Sequence, residues 1–543
     1  MTVGSVHSDT VTTANAPARP WSHDIPEGPW DYIVIGSGMG GMTAAAMLSK
    51  LGRRVLVLEQ HNIPGGFTQT FRRPGYRWDV GVHIVGEMTE RAYTGRLLAW
   101  LTDGRLQWES VGEIYDEFHF PDGFVIQFPS SIEGFRETLA DAFPEERPAI
   151  DEYIALVRQA ARATSAFMRV RTMPRMLARG AARQAEEAAM PHLAATTSEV
   201  LTRLTDNPRL RSVLAAQWAY YGSTPTRSSF AMHALMVAHF LRGAYYPVGG
   251  AASIAREMLA TVAAAGGWTA VRRSVDQILT SNGIARGVRL ADGTEIPARN
   301  VISAAGAVAT AGMLADPSPL EDVDDLESGP AHVSLYLGFE GDIESAGAHR
   351  YCQWFYDSWD MEVAVWDVSP DRPPGRIPVL FNSFPSIKDP AHDPGPTLRH
   401  TGEAITFVRW EAFCQWQDTH WQKRGDGYEA FKQVLTQRML DQYAEHYPAL
   451  APMIRHAELS TPLSTNHFAR SDRGSIYGLT TEPDRFIGDT LIARSPVRNL
   501  YLAGVDVLTP GVAGALGGGV LAAVAAEPLR TARALRPLMR PTR

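Results

Sequence analysis

Cysteine is scarce in this chain of 543 residues, which contains only two. Cys352 and Cys414 are far apart, and no CxxC pair or other metal-ligand spacing accompanies them. The sequence therefore supports neither a disulfide framework nor a zinc site, and we predict no metal. Scarce cysteine is compatible with a reducing compartment, so we expect a cytoplasmic protein.

Long hydrophobic runs are also missing. The least polar stretch, residues 511–526, is rich in Gly and Ala and ends at Glu527, which falls short of the roughly 20 apolar residues of a membrane-spanning helix. Residues 1–30 are mostly small and polar, with several prolines, unlike a signal peptide or a membrane anchor. We expect them to form a loose tail, and we expect no segment to cross a membrane.

Positive charge does not dominate the chain. Lys and Arg number 51 against 59 Asp and Glu, which gives a formal net charge of -8. We therefore expect no nucleic-acid partner. The sequence also lacks an internal repeat, a P-loop, an HExxH motif and a serine nucleophile elbow, so the protein classes that these features mark have no support.

What the chain does contain is a nucleotide-binding pattern near its start. The β-branched run 31–35 ends in the glycine-rich segment 36–41, and residues 42–51 are strong helix formers. A second β-like run, residues 55–58, ends at Glu59. We therefore predict a strand, helix and strand that begin a Rossmann-like α/β domain.

The glycines of this segment have the spacing GxGxxG. The three motif glycines and the one inside the motif are Gly36, Gly38, Gly41 and Gly40. Glycine allows a tight turn, a close approach of the backbone to a pyrophosphate, and close helix–strand packing. The pyrophosphate would lie at the helix N-terminus, and the carboxylate of Glu59 would bind the adenosine ribose. The sequence has no second motif of this kind for a resident nicotinamide nucleotide.

The residues after Glu59 separate FAD from NAD. Segments 64–66 and 75–81 resemble the extended dinucleotide-binding signature of the flavoproteins that include amine oxidases, carotenoid desaturases and retinol saturases. Amine oxidases flank the glycine pair with arginines, whereas here a proline precedes it and Phe67 follows it. Segment 81–86 is similar to the glycine–histidine element of retinol saturases and carotenoid isomerases. The resemblance implies FAD as the cofactor, with contacts from Gly65 and Gly66.

Two later segments resemble further parts of the same FAD-binding fold. Residues 499–504 form a short strand that leads to an acid, and residues 511–526 form a helix. The start of this helix could stabilise negative charge on the flavin, although its small residues would also suit tight packing. A strand in the middle of the chain is similar to the one that meets the adenine. The FAD contacts that the resemblance implies in these segments are Val275, Gly504, Asp506, Gly511 and Gly514.

The FAD-binding domain is thus predicted to be discontinuous. Its length alone makes the chain a candidate for two domains, because one hydrophobic core stops growing at roughly 250 to 300 residues. Two long insertions, residues 91–242 and 316–470, are rich in aromatic residues and methionine and should form a mixed α+β substrate domain. The predicted FAD-binding segments are 31–90, 243–315 and 471–530, and the predicted tails are 1–30 and 531–543.

Residues 166–183 combine apolar side chains with five arginines. One hypothesis is that this basic amphipathic segment rests on anionic lipid and lets the protein take an apolar substrate from the bilayer. The alternative is a solvated helical face that is interrupted at Pro174. The arginines of this segment are Arg169, Arg171, Arg175, Arg179 and Arg183.

The two end blocks and the element at residues 246–250 together resemble the retinol saturase and carotenoid desaturase–isomerase family. This resemblance implies an FAD-dependent oxidoreductase that acts on a carbon–carbon double bond of an apolar polyene, isoprenoid or unsaturated lipid, with an external electron donor or acceptor. Saturation is the first hypothesis. Desaturation, cis–trans isomerisation and a lipid-binding chaperone without catalysis are the alternatives.

The reaction also needs a group that moves a proton, because hydride transfer accounts for only one of the two hydrogens. Four residues near the motifs that face the flavin in this family are candidates for that role. Each could equally be an ordinary core residue. These candidates are His83, Glu87, Tyr245 and Tyr246.

Overall fold

The structure is a computed structural model that describes residues 19–171, 175–323, 326–487 and 491–539. The strands in these ranges are β1 (Trp30–Ile35), β2 (Val55–Leu58), β3 (Thr70–Arg73), β4 (Tyr76–Asp79), β5 (Val85–Gly86), β6 (Trp108–Ser110), β7 (Ile114–His119), β8 (Val125–Pro129), β9 (Ala244–Pro247), β10 (Trp268–Ala270), β11 (Val275–Ser281), β12 (Ile284–Leu290), β13 (Glu295–Ser303), β14 (Ala331–Glu340), β15 (Cys352–Tyr356), β16 (Val365–Trp366), β17 (Val379–Ser383), β18 (Arg399–Val408), β19 (Ile454–Ser460) and β20 (Leu500–Leu502).

The α-helices in the same ranges alternate with these strands. They are α1 (Met39–Lys50), α2 (Tyr93–Thr102), α3 (Ile132–Ala142), α4 (Arg147–Val170), α5 (Arg175–Ala194), α6 (Thr197–Leu204), α7 (Pro208–Ala215), α8 (Phe230–Phe240), α9 (Ala252–Ala264), α10 (Ala307–Gly312), α11 (Pro385–Lys388), α12 (Asp426–His446), α13 (Pro462–Ala469), α14 (Pro483–Ile487), α15 (Gly511–Ala526) and α16 (Pro528–Leu535).

The first large sheet is the predicted nucleotide-binding sheet. Strands β10, β2, β1, β13 and β20 run parallel in that order, and β12 and β11 extend the sheet as antiparallel strands. The central strands are apolar on both faces, since β2 is buried throughout and helices cover the sheet. The predicted strand–helix–strand unit is present, with a helix that begins three residues earlier than expected, at Met39.

The second large sheet is built from both insertions. Its strand order is β8, β7, β15, β17, β18, β14 and β19, and β16 pairs with β18. Helix α12 packs on one face of this sheet, where Phe431, Leu435 and Met439 join the core that also contains Leu337. Together the two sheets give the predicted fold class, a Rossmann-like α/β domain with an inserted α+β domain.

Two segments lie closer to the nucleotide-binding sheet than the sequence predicts. Helix α2 packs through Leu97, Leu98 and Leu101 into the core of that sheet, although it begins the first insertion. Part of the predicted N-terminal tail follows the sheet edge, because the backbone of Ser22 accepts a hydrogen bond from Val271 N. Residues 1–18 and 540–543 lie outside the described residues. The division into domains therefore stays a prediction.

The arginine-rich segment spans the end of α4 and the start of α5. Pro174 and the side chains of residues 175–179 lie outside the described part of the chain. At its far end, the exposed Arg183 forms an ion pair of 2.8 Å with Glu187. None of the helices in the described ranges is long and apolar enough to cross a membrane.

Candidate active site

A cavity of about 680 Å³ lies between the two large sheets. We call the part near the β1–α1 turn its nucleotide end and the part under the second sheet its substrate end. Lining residues of the nucleotide end include Gly36, Gly38, Glu59, Gly66 and Val275, and those of the substrate end include His83, Tyr220, His332, Trp354, Phe381, Ile405 and Phe407.

Backbone forms much of the wall at the nucleotide end. No described atom lies within 4 Å of the point where a Cβ of residue 38 would stand, so Gly38 leaves open space in front of the α1 N-terminus. A Cβ at Gly66 would approach the Cα of Gly38 to 3.1 Å. No side chain within the described ranges caps α1, which begins after Gly38. The first N–H groups of the helix therefore stay available for an anion.

The other two glycines of the motif sit in tight packing. A Cβ at Gly41 would stand 2.1 Å from the carbonyl oxygen of Gly36. A Cβ at Gly40 would stand 2.6 Å from the Cα of Gly504. Both positions therefore require glycine because a strand or a turn passes directly against helix α1.

Glu59 is held firmly at the end of β2. Its Oε2 accepts hydrogen bonds from the backbone N–H and the hydroxyl of Ser37, at 3.0 and 2.6 Å, and its Oε1 accepts one from His61 N at 2.8 Å. The hydroxyl of Ser37 in turn accepts a hydrogen bond from Gly65 N. Gly65 is thus tied to Glu59 through Ser37 and does not itself line the cavity. The carboxylate of Glu59 faces the cavity, where a ribose is expected.

The C-terminal block closes the same end of the cavity. Gly504 and Gly511 have positive φ angles of 104° and 81°, and in the described structure a Cβ at either would meet no atom within 4 Å. Helix α15 begins at Gly511 beside the cavity, as predicted, and no described side chain caps it. Gly514 has a packing role instead, since its Cβ would stand 2.0 Å from the carbonyl oxygen of Thr509.

Asp506 lines the cavity but is already engaged by backbone groups. Its Oδ2 accepts a hydrogen bond from Ala307 N at 2.8 Å, and its Oδ1 accepts one from Leu479 N at 3.1 Å. The carboxylate thus joins three separate segments of the chain around the cavity. Contact with the ribityl chain or the phosphate stays a prediction that these bonds do not test.

The four predicted proton-moving residues are spread out. Within the described structure, His83 is the one member of the set that lines the cavity. Glu87 pairs with Arg242 at 3.1 Å, away from the cavity, and Tyr245 is half-buried elsewhere in β9. The hydroxyl of Tyr246 donates a hydrogen bond to Asp79, a buried carboxyl behind the wall.

At the substrate end, one face of the second sheet supplies the wall. Strand register puts Trp354 opposite Phe381 and Phe381 opposite Ile405, and it puts Phe407 opposite His332. Alternate residues of a strand point to the same face, so these side chains form adjacent apolar rows with one histidine at the margin. The rows suit an elongated apolar molecule.

The next row along the same face is polar. Asp116 is opposite Cys352, Ser383 is opposite Glu403, and Glu403 is opposite Tyr336. We call these five residues the polar row. All of them are buried, with Asp116, Cys352 and Ser383 fully so.

Lys388 reaches into the polar row from α11 and is fully buried. Its Nζ donates to Ser383 Oγ at 2.7 Å and lies 3.3 Å from both Cys352 Sγ and the carbonyl oxygen of His83. Lys388 therefore connects the polar row to the histidine of the cavity wall.

Burial sets the protonation of this cluster. The pKa of Glu403 is well above its usual range because burial removes solvent and Asp79 adds negative charge, against the opposing effect of Lys388. Burial likewise raises the pKa of Asp116. Burial, with Lys388 and His332, lowers the pKa of His83 to about 3, so its ring is neutral near pH 7.

Glu403 and His83 face each other without an aligned hydrogen bond. Their Oε2 and Nδ1 atoms are 3.3 Å apart. Neither oxygen of Glu403, nor Nδ1 of His83, has a hydrogen-bond partner among the described residues. Buried polar atoms rarely stay unpaired, so this spot can receive a polar group of a ligand or a water molecule.

Tyr220 joins the cavity to the polar row from the opposite side. Its hydroxyl donates to Asp116 Oδ1 at 2.7 Å, and Trp354 Nε1 donates to the same oxygen at 3.2 Å. The ring of Tyr220 packs edge-on against Trp354, with centroids 4.9 Å apart. Tyr220 is thus a cavity-lining phenol with a buried carboxyl directly behind it.

No sequence motif marks the residues of the polar row. Asp116, Lys388 and Glu403 lie in segments that mix polar and apolar residues and contain no motif. They come together only in the folded structure, through strand pairing for Asp116 and Glu403 and through helix α11 for Lys388. Tyr220 lies in the aromatic-rich first insertion, where nothing in the sequence sets it apart from the other aromatic residues. The sequence contains one weak indication of such a cluster, since a charged residue in an apolar strand is seldom buried without a partner.

The nucleotide end fits FAD. The open space at Gly38, Gly504 and Gly511 would be filled by a Cβ, and two uncapped helix N-termini face the cavity. Residues that would hold the cofactor by this geometry are Gly36, Gly38, Gly40, Glu59, Gly66, Val275, Gly504, Asp506 and Gly511, all of which line the cavity.

Comparisons with known proteins agree with this interpretation. The family described as flavin containing amine oxidoreductase matches residues 39–385. The all-trans-retinol 13,14-reductase of Danio rerio is 31% identical over 90% of this chain and 84% of its own. The human protein of the same name is 31% identical over 92% and 86%. A chloroplastic prolycopene isomerase of an Oncidium hybrid is 24% identical over 89% and 81%.

Solved structures show the same fold. An oxidoreductase of Methanosarcina mazei aligns with a TM-score of 0.61 at 16% identity, over 90% of this chain and 98% of its own. Cyclohexylamine oxidase of Brevibacterium oxydans aligns with a TM-score of 0.58 at 17% identity, over 92% and 100%. The predicted FAD cofactor and fold class are confirmed. The chain belongs to the flavin-containing amine oxidoreductase family and, within it, to the group of retinol saturases and carotenoid desaturases and isomerases.

Proposed function

We propose that the protein is a saturase, which reduces one carbon–carbon double bond of an isoprenoid polyene alcohol. Bound FAD in its reduced form supplies hydride for such a reaction. The relatives named all-trans-retinol 13,14-reductase support a substrate of the retinol type. An external electron donor would restore the reduced flavin after each turnover.

The observation that carries this proposal is the order of the rows on the second sheet. Apolar rows with Trp354, Phe381 and Phe407 line the cavity, which is continuous with the FAD site, and the polar row follows directly beyond them. A polyene chain would bury its length against the apolar rows. A terminal hydroxyl needs a partner once it leaves water, and His83, which lines the cavity, offers one.

Protonated acids beside the cavity support reduction over desaturation. Saturation consumes one proton for each double bond, whereas desaturation requires a base to accept one. Burial raises the pKa of both Asp116 and Glu403, which favours the protonated form of both carboxyls. The two buried carboxyls beside the substrate end are therefore available as proton sources.

Anaerobic mixing of the purified holoenzyme with all-trans-retinol and with a hydrocarbon polyene, followed by product mass, tests this proposal. We expect chemically reduced enzyme to add two hydrogens to the alcohol and to act poorly on the hydrocarbon. A loss of two hydrogens with oxidised enzyme would show a desaturase instead. An unchanged mass with altered retention would show isomerisation, and a purified protein without flavin would favour the lipid-binding chaperone.

We also propose that the protein is cytoplasmic and touches membranes through residues 166–183. An apolar substrate dissolves in lipid, and an exposed cation such as Arg183 favours an anionic surface. Flotation with vesicles that contain anionic lipid, compared with neutral vesicles, tests this contact. Equal recovery with both kinds of vesicle would contradict it.

A further inference from the structure

We infer that Tyr220 delivers the proton to the substrate carbon, and that Asp116 restores this proton from behind the cavity wall. The inference rests on the proposed function, because a proton donor is needed only if the double bond is reduced. It adds a catalytic residue and a positioning residue that the sequence motifs do not contain.

Tyr220 lies in the wall of the substrate end of the cavity. It lines the cavity together with Phe381 and Trp354, and its ring centroid lies 6.3 Å from that of Phe381 and 4.9 Å from that of Trp354. His83 packs on the same Phe381 ring with a centroid distance of 4.7 Å. A polyene that lies on these rings would therefore pass the phenol of Tyr220.

Asp116 is positioned to return a proton to Tyr220. Its Oδ1 is 2.7 Å from the Tyr220 hydroxyl, and its Oδ2 has no hydrogen-bond partner among the described residues. A carboxyl that keeps its proton can also act as the donor in this bond. The bond can then run from Asp116 to Tyr220, which frees the phenolic O–H to point at the substrate.

The other polar groups nearby are less well placed. Glu403 is buried behind the wall and does not line the cavity. Lys388 already donates to Ser383, with Cys352 and the His83 carbonyl beside it. His83 lines the cavity, but its ring is neutral and its Nδ1 faces Glu403. Tyr220 is the cavity-lining group among these that has a proton reservoir bonded to it.

The proposed step transfers one proton and one hydride to the double bond. The O–H bond of Tyr220 breaks, and a C–H bond forms at one carbon of the double bond. Bound FAD in its reduced form would supply the hydride, with its electron pair, to the neighbouring carbon and would itself be oxidised. The Tyr220 phenolate takes the carboxyl proton of Asp116, and Asp116 regains a proton from water between turnovers.

Anaerobic stopped-flow mixing of reduced holoenzyme with all-trans-retinol tests the donor. Re-oxidation of the flavin should slow by about 10²- to 10⁴-fold in Tyr220→Phe, with retinol affinity nearly unchanged. The matched control is Tyr356→Phe, since Tyr356 is buried on the same sheet but its hydroxyl donates to the Ala216 carbonyl oxygen at 2.5 Å. This control should keep the wild-type rate.

Infrared spectra of the holoenzyme without substrate test the reservoir. The difference between wild type and Asp116→Asn should contain the carbonyl band of a protonated carboxyl. This band should move in Tyr220→Phe, which removes its hydrogen-bond partner, and stay in place in Tyr356→Phe. Absence of the band would overturn the role of Asp116.

The outcomes distinguish failure of the Tyr220 inference from failure of the saturase proposal. If the wild type reduces retinol and Tyr220→Phe re-oxidises as fast, the donor is another group and the inference falls while the saturase proposal stands. If the wild type transfers no hydrogens to any polyene, the saturase proposal falls and takes the inference with it.

Discussion

Backbone atoms form the wall of the cavity at its nucleotide end, whereas side chains from separate strands form the wall at its substrate end. At the first, Gly38 and Gly66 leave open space beside a helix N-terminus. At the second, Trp354, Phe381 and Phe407 give an apolar surface. Backbone N–H groups bind any phosphate in the same way, while side chains can be matched to one substrate. The difference separates a general cofactor site from a specific substrate site.

Two buried carboxylates show the same contrast. Glu59 at the nucleotide end accepts three hydrogen bonds, from Ser37 and His61. Glu403 at the substrate end has no aligned partner among the described residues, although His83 stands 3.3 Å away. The nucleotide end is therefore organised before its ligand arrives, and the substrate end keeps hydrogen-bonding capacity in reserve.

The largest effect should come from closing the open space at the nucleotide end. Gly38→Val places a branched side chain where the pyrophosphate is expected, so FAD affinity should fall by about 10³-fold or more, equivalent to about 4 kcal/mol. Flavin content and circular dichroism of the purified variant measure this. Gly427→Val, at an exposed helix glycine far from the cavity, is the control and should stay yellow. A fully yellow Gly38→Val protein would contradict the placement.

The next largest effect should come from the charge at the substrate end. Lys388→Met removes the buried ammonium that donates to Ser383 and lies beside Cys352 Sγ and the His83 carbonyl oxygen, so these buried groups lose their donor and the free energy of unfolding should fall by about 3 kcal/mol. Chemical denaturation measures this loss. Lys423→Met, at an exposed lysine, should change little. Equal stability of the two lysine variants would show that Lys388 is not engaged with the polar row.

A smaller, pH-dependent effect is expected at Asp79, a buried residue at the end of β4 that does not line the cavity. Burial raises its pKa to about 6, against the opposing effect of bonds from Tyr246 and Ala251 N. A raised folded-state pKa favours the protonated protein, so this group's contribution to stability is complete below pH of about 3.9 and is lost as pH rises through 6. The loss is at most about 3 kcal/mol.

Asp79→Asn should remove this loss. The unfolding free energy of the variant, minus that of the wild type, should therefore rise between about pH 4 and pH 6. Denaturation at a series of pH values measures the difference. Asp418→Asn, at an exposed carboxyl, should give a flat difference. A flat difference for Asp79→Asn as well would mean that Asp79 titrates normally in the folded protein.

The smallest effect should come from one hydrogen bond at the nucleotide end. Ser37→Ala removes the hydroxyl that joins Glu59 to Gly65, so FAD affinity and stability should each fall by only about 1 kcal/mol. The backbone N–H of residue 37 still holds Glu59 in the variant. Flavin titration and thermal unfolding measure the change, and a complete loss of flavin would show that Glu59 depends on this hydroxyl more than the geometry indicates.

The sequence predicted the nucleotide side of the fold well. The β1–α1–β2 unit and the start of α15 followed from local patterns, FAD was implied by the resemblance to flavoproteins, and the comparisons confirm an FAD-dependent oxidoreductase. Less could be predicted of the proton-moving residues. Glu87, Tyr245 and Tyr246 are close to the motifs in sequence, but the structure turns them away from the cavity, because nearness along a chain does not fix the face of a strand.

The sequence by itself determined the cofactor site, because a strand, a glycine turn and a helix are local structures whose backbone groups bind the dinucleotide directly. Only the tertiary structure decided the substrate end. Asp116, Cys352, Ser383 and Glu403 come from distant strands, and they form one row solely because the strands pair in a particular register. A shift of one residue in any of these strands would move its side chains to the opposite face. The pairing of the strands decides which residues form the substrate end, and no single segment of the sequence specifies this set.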